Sequence, residues 1–190
     1  MDLAGFSWLN PPAALRPAGN AADFRTLPRT DFWQRTHYGF RRDDGHLLFA
    51  PWTGDFVLEA TVALAPNAKY DQAGLMVRCS PSCWLKTSCE FQPEGPSQLG
   101  AVVTNTGFSD WSYRPVFPYP GRIRLRIERH GGDYLLAARI GDQGPMDVHR
   151  VARLLEDDSR GPLMVGLYAC SPDGDGCDVA FSEVILDPRG

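Results

Sequence analysis

The chain has 190 residues, 43% of them hydrophobic and 22% charged, which suits one folded domain over 1–190 with a sizeable core rather than a disordered chain. Its formal net charge is −4, Lys69 and Lys86 are its only lysines, and no basic run exists, so no nucleic-acid partner is expected. No apolar stretch approaches the roughly 18 residues a spanning helix requires, which argues against a membrane partner.

The first ten residues, Met1 to Asn10, carry neither a basic nor an apolar leader segment, so a cytoplasmic address is expected. Downstream, short alternating segments are separated by Gly, Pro, Asn and Asp clusters, the signature of strands and turns. Trp33, Arg35 and His37 alternate and are expected on one strand face. From Asp55 to Ala65, Phe56, Leu58, Ala60, Val62 and Leu64 share one face. Ala73 to Cys79, Cys83 to Phe91 and Leu99 to Asn105 form a central meander. Arg122 to Arg129 buries Ile123, Leu125 and Ile127, and Arg122, Arg124 and Arg126 show to a single face. The turn His130-Gly131-Gly132-Asp133 makes a hairpin with Tyr134 to Ile140. The best helical candidate, Arg150 to Asp157, is very short. Leu163 to Cys170 and Cys177 to Leu186 read as a second hairpin around Pro172 to Gly176. About a dozen strands with few helices leave a sandwich or a barrel.

Five cysteines (79, 83, 89, 170 and 177) form no Cys-x-x-Cys pair, and the four histidines are scattered, so no metal site is expected from them. Cys170 and Cys177 could face each other across the expected hairpin, and the plainer reading is reduced core thiols. Asp173-Gly174-Asp175-Gly176-Cys177-Asp178 faintly resembles a calcium loop but is short and lacks the closing glutamate, which leaves a polar turn as the simpler account.

Several strings then matter together: Asp31-Phe32-Trp33-Gln34-Arg35-Thr36-His37-Tyr38-Gly39-Phe40, Gly54-Asp55-Phe56, and Tyr70-Asp71-Gln72-Ala73-Gly74-Leu75-Met76-Val77-Arg78. Trp84-Leu85-Lys86-Thr87 with Glu90, Ser109-Asp110-Trp111-Ser112, and Gly166-Leu167-Tyr168-Ala169-Cys170-Ser171-Pro172 complete the set. In this order and spacing the chain resembles the regulation-of-enolase family of concanavalin A-like proteins over roughly residues 5 to 187. The resemblance implies an all-β fold, a concanavalin A-like jelly-roll sandwich of two antiparallel sheets, one of them concave. It implies no agreed activity and no catalytic residues. Cys177 departs from the aromatic residue expected after the glycine.

Glycoside hydrolysis by two carboxylates on one strand is disfavoured, because Pro93 interrupts the run between Glu90 and Glu94. No serine-hydrolase elbow or phosphate-cradling loop occurs, and no cofactor is expected. Sugars bind through aromatic faces beside paired polar groups, and the candidate mixture here is Trp33, His37, Asp71, Gln72, Trp84, Lys86, Glu90, Asp110 and Trp111. The opposing account makes Trp33 and Trp84 core residues and Asp71 and Gln72 caps for buried backbone. On the strand from Cys83, alternation sends Trp84, Lys86, Ser88 and Glu90 outward, and an outward Lys86 would be replaceable by Met within about 1 kcal/mol. The expected function is a carbohydrate-binding domain using its concave face. The alternatives are a regulatory protein partnered with a metabolic enzyme, and a glycan-active enzyme with unassigned catalytic residues.

Overall fold

The computed structural model describes residues 2–158 and 161–189, with 15–18 followed by backbone alone, so the limits of the expected 1–190 domain lie outside the described residues. Alternating apolar and polar residues favour extended chain, because successive strand side chains point to opposite faces. After a 3-10 turn at Leu3–Gly5 come β1 (Ser7–Leu9), β2 (Leu15–Ala18), β3 (Ala21–Arg25), β4 (Phe32–Gln34), β5 (Arg41–Asp43) and β6 (His46–Trp52). The middle of the chain forms β7 (Phe56–Ala65), β8 (Gln72–Ser80), β9 (Cys83–Glu90), β10 (Ser97–Asn105) and β11 (Phe108–Val116). Then follow β12 (Arg122–His130), β13 (Asp133–Ile140), β14 (Asp147–Arg153), β15 (Leu163–Cys170) and β16 (Asp178–Pro188).

Two antiparallel seven-stranded sheets result, one ordered β1-β6-β15-β8-β9-β10-β11 and the other β14-β13-β12-β7-β16-β3-β2. They pack as the expected jelly-roll sandwich. Phe56, Leu58, Ala60, Val62 and Leu64 of β7 and Ile123, Leu125 and Ile127 of β12 meet Leu75, Val77, Cys83, Leu85 and Cys89 of the first sheet in the main core. Arg122, Arg124 and Arg126 of β12 do share the outer face of their sheet, whereas Arg129 falls on the inner face, buried and paired with Asp157 at 2.7 Å. Arg124 and Arg126 grip the two oxygens of Glu59 at 2.5 and 2.6 Å, which satisfies a carboxylate that would otherwise be costly to cover. Among the described residues no helix is long and apolar enough to cross a membrane.

The structure corrects three expectations. Residues 163–170 and 177–186 do not pair. β15 lies in the first sheet between β6 and β8, whereas β16 lies in the second between β7 and β3. The turn between them is an arch from one sheet to the other. Thr26 captures its far end, accepting from the Cys177 backbone N–H at 2.9 Å while its own N–H donates to the Cys177 carbonyl at 3.0 Å. Gly, Pro and Asp serve an arch as readily as a hairpin, so local turn chemistry could not separate the two. The helical candidate at 150–157 is instead the end of β14 and a turn, since pairing of Arg153 with Asp133 and Ala152 with Tyr134 holds it extended. Finally, the strand at Trp33 ends at Gln34. Arg35 (φ 58°) and His37 (φ 64°) adopt left-handed backbone, so they leave the face that Trp33 occupies.

Candidate functional site

A second apolar cluster lies on the outer face of the first sheet. Leu47, Met76, Trp84, Val102, Tyr168 and Cys170 point away from the main core and are covered by Phe32 and Trp33 of β4. The sandwich thus carries a third layer over one face, the two-stranded β4–β5 hairpin. Burying a ring such as Phe32, which is fully enclosed, stabilises the hairpin by about 2–3 kcal/mol. Two ion pairs hold it down as well. Arg78, on the same face of β8, donates twice to the Asp43 carboxylate at 2.6 and 2.7 Å. Lys86 of β9 lies 3.5 Å from Asp31. On the other side the Gln34 N–H donates to Ser109 Oγ at 3.0 Å.

Where the hairpin stops covering the sheet, a cavity of about 190 Å³ opens. Its floor is Gln72, Lys86 and Glu90, with Asp31 at one side. Trp33, Tyr38, Phe40, Tyr70 and Trp111 form its walls, and Pro172 and Asp173 complete the mouth. The 35–40 loop is tightly wound, with the Arg35 and Phe40 backbones joined by a 2.8 Å hydrogen bond, and it stands Tyr38 and Phe40 at the rim. Trp33 and Tyr38 meet edge to face at 5.4 Å, and Tyr38 stacks on Phe40 at 5.7 Å. Tyr70 also holds a left-handed backbone (φ 67°), a conformation that bulky residues keep only where surroundings impose it.

The polar floor is a connected network. Lys86 Nζ donates to Gln72 Oε1 at 2.8 Å, the Tyr168 hydroxyl donates to the same oxygen at 3.1 Å, and Gln72 Nε2 donates to the Tyr70 carbonyl at 3.1 Å. Burial, the largest single influence, lowers the Lys86 pKa, but Asp31, Cys170 and Glu90 together outweigh it and hold the ammonium above the ordinary lysine value. Glu90 goes the other way. Burial pushes its carboxyl up to about 7, Lys86 opposes that shift, and Asp31 adds to it.

Of the candidates named from sequence, Trp33, Gln72, Lys86, Glu90 and Trp111 come together here. Trp84 shares their face but is sealed beneath the hairpin, 6.2 Å from the Phe32 ring, and does not reach the cavity. Lys86, expected to be displayed outward, is only 2% exposed. The face was read correctly, but the hairpin covers it. Asp71 is fully buried elsewhere, accepting from the Asn67 and Ala68 N–H groups and from the Ser171 hydroxyl at 2.6 Å. It is a backbone cap, the alternative account of that residue. His37 and Asp110 border a neighbouring shallow hollow with Phe108, and Asp110 pairs with Arg150 at 2.9 Å. Sequence reasoning missed Asp31, Tyr38, Phe40, Tyr70 and Asp173 as site residues. The density of aromatic residues between 32 and 40 was the available signal.

Among the described residues no three His, Cys, Asp or Glu side chains gather closely enough to hold a metal ion. In the faint calcium string, Asp178 turns to Arg25 at 3.1 Å, while Asp173 and Asp175 are exposed.

Comparison with known proteins bears on this geometry. The family described as "Protein of unknown function (DUF1349)" matches residues 8–189. Regulation of enolase protein 1 of Saccharomyces cerevisiae is 34% identical over 185 residues, which is 96% of this chain and 89% of that protein. The crystal structure of a functionally unknown protein from Saccharomyces cerevisiae superposes with a TM-score of 0.90 at 32% identity, covering 100% of this chain and 99% of that one. The carbohydrate-binding module CBM66 from Bacillus subtilis reaches a TM-score of 0.57 at 11% identity, covering 95% of this chain and 94% of its own, and shares the fold alone.

Proposed function

The chain belongs to the DUF1349 family of proteins of unknown function, and from that premise we propose that it is a binding domain for one small carbohydrate or sugar-derived molecule. The ligand would sit on the outer face of the first sheet, in the cavity beside the β4–β5 hairpin. The observation that carries this reading is a single cavity whose floor is polar and charged while its walls are rings. Hydroxyl groups need partners that accept and donate in fixed directions, and the C–H faces of a sugar need flat apolar surface. Gln72, Lys86 and Glu90 supply the first, and Trp33, Tyr38 and Trp111 supply the second. A volume of about 190 Å³ is below the roughly 300–1,000 Å³ of drug-sized pockets, so it suits one ring rather than a chain of sugars. The same fold serves a carbohydrate-binding module in Bacillus subtilis, a precedent for the architecture that assigns no residue here.

The test is a thermal-shift screen of monosaccharides and sugar derivatives, followed by calorimetry on hits, since a ligand bound only by the folded state must raise the melting temperature. Trp111→Ala, on a half-buried wall residue, should weaken a genuine hit about tenfold or more with little change in stability. A screen without hits, or a hit indifferent to this change, removes the reading.

A second reading draws on the name of the yeast relative and on one surface feature. Tyr38, Phe40 and Phe108 are 49%, 44% and 54% exposed around the cavity mouth and the adjoining hollow, where exposed rings suit a protein contact. Contact with a metabolic enzyme would be seen as saturable binding of purified enolase that Phe108→Ser weakens.

A further inference from the structure

We propose that this cavity selects a cationic ligand, namely a single-ring sugar derivative bearing a protonated amine, with its ammonium received by Glu90 and the surrounding rings. The inference rests on the carbohydrate reading and narrows it to a charge class.

Three observations converge. Glu90 is 7% exposed and lines the cavity, yet among the described residues its carboxyl takes part in no hydrogen bond. A carboxyl enclosed to that degree is normally paired or hydrogen-bonded, because burying it unpartnered is costly. Its nearest cationic neighbour is already engaged, since Lys86 gives one N–H to Gln72 and faces Asp31. An unpaired acceptor thus remains at the cavity floor.

The charge balance of the lining points the same way. At the floor Asp31 and Glu90 face one ammonium, Lys86, while at the mouth Lys69, over the Tyr70 ring at 4.6 Å, offsets Asp173, so a bound anion at the floor would meet more carboxyl groups than ammonium. A phosphorylated or carboxylated sugar is therefore disfavoured. A cation restores the balance, and the walls suit it. Ammonium groups are attracted to the faces of Trp and Tyr rings within about 6 Å of the centroid, and Trp33, Tyr38 and Trp111 line the cavity, while the Tyr70 ring already carries Lys69 at 4.6 Å. Asp31 has less to offer, as its Oδ1 already accepts from the Phe32 N–H at 2.7 Å. That leaves Glu90 as the receiving carboxylate.

Calorimetric titration at neutral pH should compare D-glucosamine, D-galactosamine and D-mannosamine, each against its parent hexose and the 6-phosphate of that hexose. The expected result is that at least one amino hexose binds about tenfold tighter than its parent, with the 6-phosphate weakest. Glu90→Gln should abolish the preference, so that on the variant the amino hexose binds no tighter than its parent hexose. An amine that binds no better than its parent, or a phosphate that binds best, overturns the charge selection and leaves the sugar reading intact. If no hexose of any charge binds, the sugar reading falls and tetramethylammonium decides. Saturable binding of that ion, lost in Glu90→Gln, keeps the charge selection, and its failure to bind overturns that too. Should Glu90→Gln not fold, the ranking of the three series on the wild-type protein decides alone.

Discussion

Lys86 and Asp31 form a buried ion pair at 3.5 Å that ties β9, an inner strand of one sheet, to the start of the hairpin lying over it. The Lys86 side chain is 2% exposed and that of Asp31 is 14% exposed. Removing one member of such a pair leaves the other charge enclosed, which costs more than the pair contributes. Lys86→Met is therefore expected to destabilise the protein by about 2–3 kcal/mol, measured by urea unfolding. The cost stays below that of a fully enclosed pair because Asp31 retains some water. Adding Asp31→Asn to Lys86→Met should cost less than the sum of the two single changes. A loss within about 1 kcal/mol, as an outward lysine would give, would mean that the hairpin does not cover this face in solution.

Glu90 gives stability an unusual pH dependence. Its folded value of about 7 lies above that of an unfolded glutamate, about 4.3. Between those values the folded state binds more protons than the unfolded state, so stability falls as pH rises and levels off above the folded value. Burial is the main cause, with Asp31 adding to it and Lys86 opposing it. Tyr38, Tyr168 and Cys170 also feel the Glu90 charge, but burial raises each of them, so they stay neutral across this window. His46 acts in the opposite sense. Burial lowers its pKa, so acidification below about 6.5 costs stability as the unfolded histidine gains a proton first. His149, whose pKa burial also lowers, acts in the same sense as His46, and the wild-type curve sums all three. The difference between Glu90→Gln and wild type isolates Glu90, and it should favour the variant increasingly from about pH 5 to pH 7, by at most about 3 kcal/mol. A difference flat in pH would place the carboxyl in contact with water.

Gly45 joins the hairpin to β6, close against Phe32 and Cys170. A Cβ there would lie 2.5 Å from the Phe32 ring and 2.6 Å from Cys170 Sγ, and both of those side chains are fully buried. Neither has room to retreat, so Gly45→Ala should cost about 1–3 kcal/mol. Because Trp33 follows Phe32, the same change should also weaken any ligand held by the Trp33 wall. Phe32→Leu made in the Gly45→Ala background should recover part of the stability, and the absence of any recovery would locate the strain elsewhere.

Much of this was legible in the sequence wherever period two governs. Lys86 and Glu90 were placed on the right face, opposite Leu85 and Cys89, because alternation on a strand admits only two outcomes. The meander and the β12–β13 hairpin followed from the same rule and from Gly131-Gly132. What alternation cannot state is which of two faces receives a third layer. β4 has only three residues, too few to show a period, and its covering role depends on Arg78 and Lys86 reaching Asp43 and Asp31 from far along the chain. The rim was hidden for a related reason. Arg35, His37 and Tyr70 take left-handed backbone although none is Gly, Asn or Asp, so the composition gave no turn signal there. The crossing at 171–176 was misread because it depends on Thr26, a partner that local turn chemistry does not name.

The thiols test that crossing. All five cysteines are free, and all but Cys79 are fully buried. Cys170 packs with Phe32 on the outer face of the first sheet, whereas Cys177 belongs to the main core, its sulfur 3.5 Å from the Thr26 hydroxyl. Partners across a hairpin could form a bridge, but residues on opposite sides of a sheet cannot do so without rearranging the backbone. Alkylation in denaturant without reductant should therefore modify all five. In the folded protein the reaction should be slow everywhere and fastest at Cys79, the half-buried one. Even there, a hydrogen bond with Cys83 and then burial raise the thiol pKa, so little reactive thiolate is available. Intact-mass measurement over time reads both results. A mass lower by about 2 units, with Cys170 and Cys177 in one linked peptide, would show that the two residues do meet and that the arch between the sheets is wrong.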